Sequence, residues 1–452
     1  MRRFVVVLAA LLLLPAPTAA ADERPNIILI VTDDQRPNLF DVMPQTRDWF
    51  FTGGTRFVEA YASTPLCCPS RASIMSGRYV HNHGVRNNGA WAELDHDQTI
   101  QRYLQEAGYR TGLYGKFLNR WDLSLDPPYF DQWGIMAGGY TNWSANVQGI
   151  RTRIGTYSTD WIASRAESFM VQHDQTADDQ PFFLYLAPYA PHTPFTPAKR
   201  HASATVPRFK GNPAVRERDF SDKPPYVQEQ AATIDRTLVS VTIPRQQKRT
   251  LLSVDQMVAR VREAVRQTGE LDNTLVVYVS DNGFFWGEHG LPDKRAPYTQ
   301  AIRVAMMLSW PEQVAAGTSD TRLASLVDVA PTVLDVAGVT PEQPMDGRSL
   351  FDPLNDRDRL LTEYFYDSMG SGASLPTWAS LRTPSIQYVE YYADETRQEV
   401  VFREYYDLVR DPWQLTNLLG DADTSNDPAP ATVLALSAQL TADRECIAAA
   451  CP

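Results

Sequence analysis

The chain has 452 residues, enough for one large domain or a large and a small one, and 43% of them are hydrophobic, so a sizeable core is available. The formal charge of -12, with no cluster of Lys and Arg, excludes an ordinary nucleic-acid binder and means that any strongly anionic ligand needs a local basic site.

The first segment reads as a targeting signal. Arg2 and Arg3 precede an apolar run from Phe4 to Leu14, and small residues end at Ala19, Ala20 and Ala21. That layout predicts a cleavable secretory signal over residues 1–21 and a secreted or extracytoplasmic protein. The run is too short to span a bilayer, and no later stretch is apolar enough to do so, so no stable membrane insertion is expected.

Ile27 to Val31 is a continuous apolar, β-branched run, the pattern of a strand buried in a parallel sheet. It ends in Asp33 and Asp34. Residues 96–109 have helical character and stop at Gly108; "YRTGLYGKF" then reads as a strand entering a loop. Phe182 to Leu186 is a second buried strand, followed by a proline-rich loop, and the proline- and charge-rich stretch 198–228 reads as a surface loop over the site. Val254, Met257, Val258, Val261 and Val265 recur at helical spacing. Leu275 to Val279 is a further strand, closed by Asp281 and Asn282. "DVAPTVLDVAGV" predicts a short helix starting near Pro331. From about Leu360 the pattern alternates and is rich in Tyr and Val, as antiparallel hairpins are. The expected fold is therefore α/β, a large mixed and mostly parallel sheet flanked by helices, with a smaller C-terminal antiparallel sheet plus helix. The expected division is residues 22–358 and 359–452.

Two buried strands, one closing in an Asp pair and one in an Asp-Asn pair, point to one site at a sheet edge, where open α/β sheets bind ligands. Asp33, Asp34, Asp281 and Asn282 are hard oxygen donors that suit Ca²⁺ or Mg²⁺; a lone Asp pair at a strand end would be an ordinary turn former. Lys116, His192 and Lys294 also stand just beyond strands or a glycine-rich turn, and Arg71 is four residues after Cys67. Together they would clamp a tetrahedral anion. Of the four cysteines, Cys446 and Cys451 are near neighbours at the terminus and are read as a disulfide. Cys67 and Cys68 are adjacent and cannot readily bridge. They are read either as two buried inert thiols or as a site in which Cys67, ahead of a helix opening at Pro69, is a nucleophile with Arg71 holding an anion.

The run Cys67-Cys68-Pro69-Ser70-Arg71 has the C-x-P-S-R form of the type I sulfatases. "NIILIVTDDQ", "GLYGK", "APHTPF", "YVSDNG", "GEHGL", "DVAPTVLDVAGV" and "EYYDLVRDPWQLTNL" resemble that family's other blocks, in the family's order, from about Asn26 to Leu418. The resemblance implies an alkaline-phosphatase-like fold and a sulfuric ester hydrolase. It implies that a formylglycine-generating enzyme converts Cys67 to Cα-formylglycine, whose hydrate attacks sulfur and then expels sulfate. It implies one Ca²⁺ held by Asp33, Asp34, Asp281, Asn282 and the modified Cys67. Arg71 would steady the hydrate, Lys116 and Lys294 would hold sulfate oxygens, and His192 would protonate the leaving oxygen.

Leu118, followed by Asn119, stands where many members carry a histidine, two residues after Lys116. That departure, with "PLCCPSRASIMSGRYVHNHGVRNNG", is similar to the branch acting on 6-sulfated N-acetylglucosamine and heparan chains. The expected substrate is thus a small-molecule or glycan sulfate ester. His289, Asn119 and His83 are the expected substrate-binding residues, with His81, Asn87 and Asn88 as further pocket candidates. Two other readings stay open at this point: a phosphomonoester or phosphonate-ester hydrolase on the same fold, and a non-catalytic Ca²⁺-dependent glycan-binding protein.

Overall fold

The computed structural model describes residues 24–177, 180–311, 313–367 and 375–452. The expected secretory signal lies outside them. The main sheet is built from β1 (Asn26–Thr32), β2 (Thr55–Tyr61), β3 (Arg110–Gly115), β4 (Gln132–Met136), β5 (Trp143–Val147), β6 (Ile150–Ile154), β7 (Phe182–Ala187), β8 (Thr274–Ser280), β9 (Met306–Ser309) and β10 (Thr318–Ser325). Its spatial order is β10-β2-β9-β8-β1-β7-β3-β4-β5-β6. The central strands β8, β1, β7, β3 and β4 are all parallel, and antiparallel pairs occur only toward the two sides.

Every residue of β1, β7 and β8 is buried, because both faces of the sheet are covered. Side chains alternate between two cores. Ile27, Leu29, Val31, Val277 and Val279 face the cluster that includes Ile74 and Val333. Ile28, Ile30, Val276 and Tyr278 face the cluster built with Val254, Met257 and Val261 of the long helix Ile243–Gln267. The valines read as one helical stripe are that helix's buried face.

Parallel pairing decides where the site lies. Thr32 is in register with Ser280, and the Asp281 N–H donates to Thr32 O at 3.1 Å. The next residues of both strands, Asp33-Asp34 and Asp281-Asn282, therefore leave the same sheet edge side by side. Beyond Gly115, the Lys116 N–H donates to Ala187 O at 2.8 Å, so the loops after β3 and β7 open on that edge too.

The second sheet is antiparallel: β11 (Leu360–Tyr364), β12 (Trp378–Arg382), β13 (Ile386–Tyr392) and β14 (Val400–Asp407), in that order. Helix Pro430–Asp443 and a Cys446–Cys451 disulfide complete it. Some boundaries differ from the sequence reading. The helix expected over 96–109 starts at Ile100, after a 3-10 turn at His96–Gln98. The helix expected near Pro331 starts at Val329, because Ser325 and Asp328 form a capping box one turn earlier. The stretch 198–228 is not a simple surface loop: Asn212, Ala214, Glu217, Asp222 and Lys223 are buried in it.

Candidate active site

Helix α1 (Cys67–Ser76) carries the cysteine pair, and all ten of its residues are buried. It opens at Cys67 rather than at Pro69, which is its third residue, and closes on Gly77 in the left-handed conformation (φ 67°). No side chain of Leu66 caps it. Instead the Asn88 side-chain carbonyl accepts from Cys68 N–H at 3.0 Å, so Asn88 acts as a remote cap.

The helix start delivers Cys67 into the acidic edge. One donor atom each from Asp33, Asp34, Cys67 and Asp281 lie within 4.8 Å of one another, all buried. The thiol points at Asp33 Oδ1 (3.4 Å) and Asp34 Oδ1 (3.8 Å). Lys294 Nζ lies 2.8 Å from its sulfur and also donates to Asp34 Oδ1. Lys116 Nζ donates to Asp33 Oδ2 at 2.6 Å. Arg71 Nε donates to Asp281 Oδ2 at 2.9 Å, and Nη1 donates to Lys116 O at 3.0 Å. His192 approaches from the loop after β7, its Nε2 3.8 Å from Asp34 Oδ2. Its Nδ1 faces a carbonyl, Thr193 O at 2.7 Å, so Nδ1 carries a proton and Nε2 faces the cluster.

These groups set each other's charge. Burial pushes Asp33 upward, but Lys116, His192 and Arg71 outweigh it and hold the carboxyl at about 2. Asp34 is likewise lowered, against its burial, by Lys294 and His192. Burial pushes the Cys67 thiol well above its usual value despite Lys116 and Lys294. The plain thiolate nucleophile is therefore disfavoured: a helix N-terminus alone does not ionise a thiol packed against carboxylates.

The donor set fits a hard cation. Three carboxylates converge, and Asn282 adds a side-chain oxygen that is buried without a hydrogen-bond partner among the described residues. Asn282 Nδ2 donates to Asp34 Oδ1 (2.7 Å) and Gly283 O (2.8 Å), so its amide orientation is fixed with that oxygen left over.

The remaining expected residues differ in how far the fold engages them. His83 is not available to a ligand: one ring nitrogen meets Ser73 Oγ at 3.1 Å and the other accepts from Val85 N–H at 3.1 Å, and burial lowers it to about 3. His289 is fully buried, stacked on Tyr298 at 4.2 Å, with Nδ1 on Glu217 Oε2 at 2.8 Å. His83 thus has both ring nitrogens engaged within the fold, whereas His289 Nε2 is buried with no hydrogen-bond partner among the described residues. His81 pairs with Glu363 and with Cys446 O, and Asn87 accepts from Gly89 N–H within its own turn. Asn119 is half-buried, and its side-chain oxygen has no partner among the described residues. Sequence reasoning missed Arg36 and Glu288. Arg36 is two residues past Asp34 and Glu288 lies in "GEHG", but nothing local signals that they meet.

A model of the sulfatase family matches residues 25–339, and one of the N-sulphoglucosamine sulphohydrolase C-terminal region matches 287–439. The chain belongs to the sulfatase family. This sulfatase-family chain is 31% identical over 471 residues to human N-acetylglucosamine-6-sulfatase, covering 90% of this chain and 83% of that protein. It is 33% identical over 374 residues to a putative extracellular sulfatase Sulf-1 homolog of Caenorhabditis elegans, and 35% over 370 residues to the extracellular sulfatase SULF-1 homolog of Drosophila melanogaster. Each match covers 77% of this chain, and the chain spans 52% and 33% of those two longer proteins. Among solved structures, a protein in complex with its substrate D-glucosamine-2-N,6-O-disulfate superposes with a TM-score of 0.76 at 27% identity, covering 92% of this chain and 97% of that one. The phosphonate monoester hydrolase of Agrobacterium radiobacter superposes with a TM-score of 0.69 at 20% identity over 92% and 95%, a likeness of fold alone. The family's fold is the alkaline-phosphatase-like one expected from the motifs.

Proposed function

We propose that the chain is a sulfuric ester hydrolase acting on a sulfated amino sugar, with 6-sulfated N-acetylglucosamine as the leading substrate. The observation that carries this is the Cys67 side chain: it opens a buried helix inside a cluster of three carboxylates, with Lys294 Nζ 2.8 Å from its sulfur. A binding module has no use for a cysteine there.

The raised thiol supports the reading in which Cys67 is converted to Cα-formylglycine. That modification would supply, as the aldehyde hydrate, two hydroxyls on one carbon, the chemistry needed to take up a sulfuryl group and release it as sulfate. Asp33, Asp34, Asp281, Asn282 and the modified Cys67 would hold a Ca²⁺, which supplies positive charge to polarise a sulfate oxygen. The chain's own groups do the rest. Lys116 and Lys294 hold sulfate oxygens in a water-poor site, where fixed charges act strongly. Arg71, anchored by Asp281, steadies the nucleophile's oxygen. His192, when protonated on both nitrogens, gives its Nε2 proton to the leaving sugar oxygen while Thr193 O holds Nδ1–H. Asn119 offers its unpartnered side-chain oxygen to a substrate hydroxyl.

The extracytoplasmic reading is supported by the terminal disulfide, since such bonds persist in oxidising compartments. No helix among the described residues is long and apolar enough to cross a membrane. The test is to produce the protein together with a formylglycine-generating enzyme and measure the mass of the peptide spanning Cys67. Conversion of thiol to aldehyde removes about 18 Da. The matured protein should hydrolyse N-acetylglucosamine 6-sulfate in preference to phosphate and phosphonate monoesters. A preference for phosphorus esters, or turnover surviving Cys67→Ala, would overturn the assignment.

A further inference from the structure

The net charge of -12 makes a polyanionic substrate unwelcome unless a cation receives it close to the reacting sulfate. One cation near the site is not used by the chemistry above. Asn88 accepts from Cys68 N–H at 3.0 Å, and Arg86 is two residues away, so their Cα atoms are at most about 7 Å apart. The Arg86 guanidinium lies over the Phe365 ring, 4.8 Å from its centroid. Phe365 is itself buried. Two residues before it, Glu363 N–H donates to Ser63 O at 2.9 Å, in the segment that leads into Cys67.

Two arginines share this ring, and they differ in what neutralises them. Arg397, 4.7 Å from the centroid, is held by buried Glu363 at 2.7 Å. Arg86 is 48% exposed and faces Glu395, 45% exposed, at 3.8 Å. A contact of that length between exposed groups contributes little and yields to a better acceptor. The ring holds the guanidinium plane in place, so a bidentate anion can bind it with little ordering cost.

We propose that Arg86 recognises a second anionic group of the substrate, a sulfate or carboxylate carried beside the sulfate ester at Cys67. This rests on the sulfatase reading and adds to it a preference, among 6-sulfated amino sugars, for those bearing a second negative charge.

The test measures binding by calorimetry to Cys67→Ala protein, so that turnover plays no part, using D-glucosamine 6-O-sulfate, D-glucosamine-2-N,6-O-disulfate and a 6-sulfated disaccharide carrying a uronate. Arg86→Gln should weaken at least one of the two dianions about tenfold, as loss of a charge-assisted pair does, and leave the monosulfate within about twofold. Weakening of the disulfate assigns the second anion as sulfate; weakening of the uronate disaccharide assigns it as carboxylate. Glu395→Gln, which removes the competing carboxylate, should tighten the same ligand. Equal weakening of all three ligands, or of none, overturns the proposal. Failure of the sulfatase reading would look different: matured wild-type protein would turn over no sulfate ester, while the binding comparison would still decide the role of Arg86.

Discussion

Arg36 and Glu288 form a buried ion pair, Nη2 to Oε1 at 2.9 Å and Nη1 to Oε2 at 3.2 Å, that ties the loop after β1 to the loop carrying Lys294. Arg36 also donates to Phe284 O and stacks on Trp286 at 4.4 Å, while Asn212 and Trp286 N–H complete the coordination of Glu288. Removing one partner strands a buried charge. Glu288→Ala should cost about 3–5 kcal/mol of stability by urea denaturation, whereas replacing both residues by apolar ones should cost much less. Turnover should fall in both variants, because Lys294 loses its alignment. Full activity in a stable double variant would show that the pair only holds the fold.

Asn88 caps the active-site helix from outside. Asn88→Ala should lower stability by about 1 kcal/mol in chemical denaturation, the usual cost of a lost N-cap. An unchanged denaturation midpoint would mean that water replaces the cap without loss.

The metal set makes a prediction that needs no substrate. Ca²⁺ at about 100 times its Kd should raise stability by about 2.7 kcal/mol, visible as a rise in Tm that EDTA reverses. Asn282→Ala removes one oxygen donor and should shrink the rise at the same Ca²⁺ concentration. An Asn282→Ala protein that responds like wild type would exclude this oxygen from the ligand set.

The His81–Glu363 pair predicts a stability profile. His81 Nδ1 meets Glu363 Oε1 at 2.7 Å and Nε2 meets Cys446 O at 3.0 Å, so both ring nitrogens face acceptors and the ring is held protonated. Burial alone would lower His81, but Glu363 raises it above its usual 6.5, against the opposing charge of Arg397. Its contribution is therefore complete below about pH 6.5 and is lost as pH rises through the raised value. Glu363 is held at about 2, against burial, by His81 and Arg397. Its contribution is complete above its usual 4.5 and is lost as pH falls toward about 2. The pair is fully effective between about pH 4.5 and 6.5. Tm measured from pH 5 to 9 should decline on the alkaline side in wild type and decline less in His81→Gln. Parallel curves would assign the alkaline loss to other groups.

Local sequence carried much of this molecule. The apolar runs of β1, β7 and β8 are legible because strands covered on both faces have no polar side. The ends of β1 and β8, with Asp33, Asp34, Asp281 and Asn282, and the C-x-P-S-R run at Cys67 are legible because each is a contiguous stretch. What no stretch contains is which segments meet. Thr32 and Ser280 stand 248 residues apart in sequence yet are in register on neighbouring strands, and only that pairing makes two ordinary strand ends into one donor cluster. Tertiary packing likewise turned His83 inward, set Glu217 against His289 Nδ1, gave Asn88 the helix cap, and joined Arg36 to Glu288. A histidine or asparagine in a loop has the same composition whether it faces a ligand or a neighbour. Its role is decided by the partner that burial brings to it.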